Sequence, residues 1–114
     1  MNPSPSRLIA DGRTETRKVL RCHGKLLQKT APPLIVTTID ISSDGIAVMA
    51  PENVPPGDIC CIAFDTLVNG KPIHLQAISR VIYSICVGTA GFRVGLLFTE
   101  LDSVTKATLS QLMA

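Results

Sequence analysis

The sequence contains no Trp, one Tyr and three Phe. Its core must therefore be aliphatic, drawn from Ile, Val, Leu and Ala. The same scarcity argues against an OB-type barrel that stacks single-stranded nucleic acid on aromatic rings. Charged residues make up 18% of the chain, below the usual quarter of a soluble domain. With 46% hydrophobic residues, neither a disordered chain nor a heavily solvated helical protein fits. No apolar run approaches the roughly 20 residues that a membrane helix requires. The start, Met1 to Ser6, is polar and carries proline. It lacks the charged leader and apolar stretch of a signal peptide. A cytoplasmic protein without membrane insertion is expected. Cys-x-x-Cys spacing is missing among Cys22, Cys60, Cys61 and Cys86, and adjacent Cys60 and Cys61 point to opposite faces of a strand. Reduced cysteines acting as small apolar residues are expected, with no disulfide framework. His23 and His74 stand apart in sequence, so no metal and no cofactor are expected.

What is present is a charge asymmetry. Residues 1–29 carry seven Lys/Arg and two acids, whereas the remainder carries four Lys/Arg and seven acids. A basic N-terminal end suggests an anionic partner. The 114 residues suffice for one domain with its own core.

Residues 1–17 read as a flexible N-terminal arm of Pro, Ser, Gly and mixed charge without a period. Residues 18–114 read as the folded unit. Val19 to Leu27 can form a first strand, and Lys29 to Pro33 a turn, because its two prolines block helix and central strand. Leu34 to Ser42 is dense in β-branched residues and predicts a strand. Ser43-Asp44-Gly45 is a turn in which Gly45 can take a positive φ. Ile46 to Ala50 is a short strand, and Pro51 to Asp58 is a loop. Ile59 to Phe64, apolar throughout, predicts a buried strand. Asn69-Gly70 between apolar runs is a hairpin signal. Ile73 to Val87 is long enough for a bent strand, with Gly88 to Gly91 as a second turn. Phe92 to Phe98 is the last strand, where Gly95 marks a bulge or a close approach. Asp102 or Ser103 can cap a terminal helix whose apolar positions are Val104, Leu109 and Leu112. Five or six short strands with regular turns predict an all-β, antiparallel barrel carrying one short C-terminal helix.

Two local patterns remain. One is Arg13-Thr-Glu-Thr-Arg17; the other is Asp40-Ile-Ser42-Ser-Asp-Gly45, at the end of a β-branched strand. Twenty-two residues separate them. In this order and spacing, and with Gly45-Ile-Ala-Val and the closing GFRVGLLFTELDS, the chain resembles the PilZ family over residues 13 to 113. The resemblance implies a six-stranded antiparallel β-barrel that binds cyclic diguanylate (c-di-GMP) through Arg13, Arg17, Asp40, Ser42 and Gly45. The chemistry suits that ligand. A guanidinium forks onto phosphate or onto guanine O6/N7 and can stack on the base. The Asp40 carboxylate can accept from guanine N1–H and N2–H₂, and the Ser42 hydroxyl can donate or accept. Gly45 permits close approach, while a Ser-type turn closing on its own backbone is the alternative role of this bend. The pair Arg17 and Arg21 is a second Arg-x-x-x-Arg, so Arg21 is a further contact candidate, and Lys18 can add attraction for phosphate.

No nucleophile–base pair and no phosphate-cradling glycine loop accompany these residues, so an enzyme is not expected. The resemblance implies a monomeric receptor that signals in trans to an unidentified protein effector, with motility, pili or biofilm as outputs. It has no nucleic-acid polymer as partner. The alternative is a PilZ-like interaction adaptor that binds no nucleotide.

Overall fold

The structure, a computed structural model, describes residues 16–114. Arg13 and most of the predicted arm lie outside the described residues. Those described form seven strands and one α-helix: β1 (Lys18–Val19), β2 (His23–Gln28), β3 (Leu34–Ile41), β4 (Gly45–Ala50), β5 (Ile59–Val68), β6 (Lys71–Cys86), β7 (Phe92–Glu100) and α1 (Ser103–Met113). Strand order is β1-β3-β2-β5-β6-β7-β4, and β4 pairs back onto β3. Every pairing is antiparallel, so six strands close into a barrel and β1 is an extra strand beside β3. Closure leaves these apolar strands no long exposed edge.

The alternation of side chains decides which residues enter the barrel. On β3, Leu34, Val36 and Thr38 are buried while Ile35 and Thr37 are exposed. The interior is aliphatic as composition demands, with Leu26, Val36, Ile41, Ile46, Ile62 and Val94 sealed from solvent and Phe64 the one buried aromatic ring among the described residues. β5 extends to Val68 and alternates strictly over Ile59–Phe64. Its apolar outer face is half-buried rather than enclosed, because a barrel strand has only one interior side. The Asn69-Gly70 hairpin forms with φ of 52° and 77°, the left-handed values that a two-residue turn requires.

The predicted first strand, Val19 to Leu27, is broken between β1 and β2. The Thr38 side chain bridges the break. Its buried hydroxyl donates to the Leu20 carbonyl at 2.7 Å and accepts from the Cys22 N–H at 2.9 Å. A side chain thus pairs one carbonyl and one N–H that the interrupted ladder leaves over.

Helix α1 is capped by Asp102, whose carboxylate accepts from the Thr105 N–H at 2.7 Å. Leu109 and Leu112 are buried against the barrel as predicted. Val104, the third apolar position expected from sequence, is 74% exposed, because it lies about 140° around the helix from Leu109. The helix end is held by Lys18, whose Nζ donates to the main-chain oxygens of Leu112 and Ala114, each at 3.0 Å. This is favourable pairing of a cation with carbonyls at the negative end of a helix.

Candidate functional site

The two motifs meet on the barrel wall. β1 lies antiparallel to the end of β3, with Val19 opposite Asp40. That register sets Arg17, one residue before β1, beside the bend after β3. The Arg17 Nε donates to Asp40 Oδ1 at 2.8 Å, and its Nη2 lies 2.7 Å from the same oxygen. Its Nη1 reaches the Ser42 hydroxyl at 3.4 Å. Twenty-three residues of sequence separation between Arg17 and Asp40 collapse to one ion pair.

Ser42 is wholly buried and builds the bend itself. Its Oγ accepts from the N–H groups of Asp44 at 3.1 Å and Gly45 at 3.2 Å, and its N–H donates to the Gly45 carbonyl at 2.9 Å. The self-closing Ser turn is therefore present, and the same hydroxyl faces Arg17. Gly45 does not adopt the anticipated positive φ; among the described residues only Asn69, Gly57, Gly70, Gly88 and Gly91 do so. It opens β4 instead, and a Cβ there would collide with the Leu96 main-chain oxygen. Its lack of a side chain serves the approach of β4 to β7.

Lys18 points away from this cluster, to the helix end. Arg21 is exposed in the break between β1 and β2. Arg13 falls outside the described residues, so the structure brings together Arg17, Asp40, Ser42 and Gly45 of the predicted set.

Two residues were missed by sequence reasoning. Arg93 on β7 places Nη2 3.7 Å from Asp40 Oδ2, and its Nε donates to the Tyr83 hydroxyl at 3.3 Å. Tyr83 on β6 lies over Gly95, where a Cβ would collide with the ring. The pairings Asp40–Ala47, Ala47–Gly95 and Gly95–Tyr83 form one row across β3, β4, β7 and β6. Directly paired residues share a face, so Asp40 and Tyr83 flank a floor of one methyl group and one glycine. The predicted bulge near Gly95 lies in the partner strand, between Val81 and Tyr83. The signals available in sequence were a lone cation inside the apolar run FRVGLLF and the single Tyr of the chain.

Arg17, Tyr83, Arg93, Ile82 and Leu97 line an open depression of about 150 Å³. Two guanidinium groups stand there with the Asp44 carboxylate, and an aromatic ring and aliphatic side chains complete the lining. Such a surface suits a planar, hydrogen-bonding anion. A wider groove by Cys61, Gln76, Glu100 and Lys106 contains none of these residues. No group of three His, Cys, Asp or Glu suited to a metal ion occurs among the described residues, and no described helix is long and apolar enough to cross a membrane.

A sequence profile of the PilZ domain matches residues 12–114. No curated protein sequence matches significantly. Among solved structures, the Bacillus subtilis inhibitor of motility MotI/DgrA aligns with a TM-score of 0.73 at 14% identity, over 90% of this chain and 49% of that one. The Klebsiella pneumoniae MrkH–c-di-GMP complex aligns at 0.62 and 15% identity, over 92% and 52%. The PilZ domain of Escherichia coli YcgR with c-di-GMP aligns at 0.62 and 12% identity, over 90% and 88%. The chain thus spans about half the length of the first two. At these identities the likeness is one of fold.

Proposed function

This chain belongs to the PilZ domain family, and on that premise we propose that it is a receptor for c-di-GMP. The observation that carries the reading is the meeting of Arg17 with Asp40 and Ser42 on one patch of barrel wall. Each group has a role toward a cyclic dinucleotide. Arg17, with Arg13 from the preceding segment, takes phosphate or the guanine Hoogsteen edge by its planar fork. Asp40 accepts from the N1–H and N2–H₂ of a guanine. Ser42 and Gly45 shape the bend that presents Asp40. YcgR and MrkH, whose barrels align with this one, were solved with c-di-GMP.

The domain acts as a receptor rather than as an enzyme. Ligand exchanges the internal Arg17–Asp40 pair for contacts with phosphate and base, which presents a new surface on the barrel wall. The exchange can bias the protein only by the ligand's difference in affinity between its two states. The new surface is read by a protein effector in the cytoplasm, with motility, pili or biofilm polysaccharide as the output class. Titration calorimetry of the folded chain with c-di-GMP tests the reading and returns affinity and stoichiometry together. Saturable binding is the expected result. Absence of heat from folded protein would return the chain to the class of nucleotide-free interaction adaptors.

A further inference from the structure

We propose that Arg93 is a positioning and specificity-determining residue of this site, holding the Asp40 carboxylate aimed at a guanine edge while Arg17 turns to the ligand. The inference rests on the receptor reading above and adds a residue outside both motifs.

The first observation is the division of the carboxylate. The Arg17 Nε and Nη2 close on Oδ1, at 2.8 Å and 2.7 Å, while Arg93 faces Oδ2 at 3.7 Å. One guanidinium can therefore leave without stripping the other oxygen of its cation. The Asp40 side chain is 20% exposed, so water alone would compensate it poorly. A partly buried carboxylate that loses its only cation is penalised, and it swings or draws Arg17 back. Arg93 removes that penalty and frees Arg17 to engage phosphate.

The second observation is that the Arg93 guanidinium has a second partner. Its Nε donates to the Tyr83 hydroxyl at 3.3 Å. Tyr83 in turn lies over Gly95, where any side chain would meet the ring. The order of support runs from Gly95 to Tyr83, to Arg93 and to Asp40. These residues come from β7, β6 and β3, so the support is a property of the closed barrel wall.

The third argument is chemical. An ionised carboxylate only accepts hydrogen bonds, whereas guanine offers N1–H and N2–H₂ side by side. Hypoxanthine keeps N1–H and lacks the amino group. Discrimination between the two demands that both carboxylate oxygens be held in one orientation, because a freely rotating group can follow the weaker ligand at little loss. Arg93 supplies that restraint on Oδ2.

The test is calorimetric titration of wild type, Arg93→Ala, Arg93→Lys and Tyr83→Phe with cyclic diguanylate and with cyclic diinosinate, at two salt concentrations. Wild type is expected to prefer the guanine ligand. Arg93→Ala should weaken it by about tenfold, weaken the inosine ligand clearly less, and so narrow the preference by about threefold or more. Arg93→Lys should restore part of the preference, and Tyr83→Phe should lie between wild type and Arg93→Ala. Equal losses for both ligands with a shallower salt dependence would make Arg93 a phosphate contact and overturn the proposal. Unchanged affinities would overturn it as well. Absence of wild-type binding would remove the receptor reading and this inference together. Should Arg93→Ala fail to fold, Arg93→Gln keeps the stem and the hydrogen bond to Tyr83 and permits the same comparison.

Discussion

The Arg17 guanidinium lies across one oxygen of Asp40, with Nε at 2.8 Å and Nη2 at 2.7 Å from Oδ1. The two motifs of the chain thus satisfy each other before any ligand arrives. A fork spread over both carboxylate oxygens would be harder to displace, since each nitrogen would have its own acceptor. Convergence on a single oxygen leaves a pair that a doubly charged ligand can open. Arg17 is 41% exposed at its side chain, so solvent already screens the attraction.

Arg17→Ala should therefore separate binding from folding. Partly exposed ion pairs contribute about 0–1 kcal/mol, so the thermal midpoint should move by only a few degrees. Affinity for c-di-GMP should fall at least about tenfold by calorimetry. Unchanged affinity with an intact barrel would remove Arg17 from the site.

Two glycines should respond differently to alanine. At Gly45 the added methyl meets the main-chain oxygen of Leu96, and only parting of β4 from β7 relieves it. A loss of about 1–3 kcal/mol is expected, measured by denaturant midpoint. At Gly95 the obstacle is the ring of Tyr83, which can swing outward. Gly95→Ala should cost less stability than Gly45→Ala and more c-di-GMP affinity, because the displaced ring releases Arg93. The reverse ranking in both measurements would contradict the support described.

Thr38→Val keeps shape and deletes the hydroxyl that bridges Leu20 and Cys22. The Leu20 carbonyl and the Cys22 N–H then lose that partner, at about 1–3 kcal/mol in total. Amide exchange should accelerate at Cys22 and at neighbouring β1 while β5 and β6 remain protected. Uniform acceleration across the barrel would refute a local role.

The His74–Asp65 pair on the outer wall predicts a pH dependence of definite sign. Donation from Nδ1 to the Asp65 carboxylate, at 2.9 Å, then from Nε2 to the Gln76 side-chain oxygen, raises the His74 pKa above its ordinary value. A raised folded pKa stabilises the fold fully below the unfolded value near 6.5 and loses that contribution as pH climbs through the folded value. Both side chains are largely exposed, at 57% and 79%, so the effect is small and salt-sensitive. Urea titrations of wild type and Asp65→Asn should differ more at pH 6 than at pH 8.5. A larger difference at the higher pH would reverse the assignment.

Much of this molecule was legible in its residues. β-Branched runs, the Asn69-Gly70 turn and Asp102 before an apolar period act within a few residues of themselves, so Leu34–Ile41, the hairpin and α1 could be placed from sequence. Arg17, Asp40 and Ser42 could be singled out because each sits in a short, spaced motif. The break at Arg21 was not legible, since the group that bridges it is a hydroxyl 16 residues away in the chain, reaching Cys22. Nor was the true task of Gly45, which is set by a carbonyl of β7 and not by its own turn. Arg93 and Tyr83 sit in no spaced motif, and a lone cation in an apolar run and a single Tyr do not say what they meet. They reach Asp40 only through the row that closure of the barrel writes across β3, β4, β7 and β6. Local sequence determined which segments become strands and which polar groups stand at their ends. Which of those groups face one another was decided by strand register, because a barrel joins residues by hydrogen-bonded pairing between strands far apart in the chain.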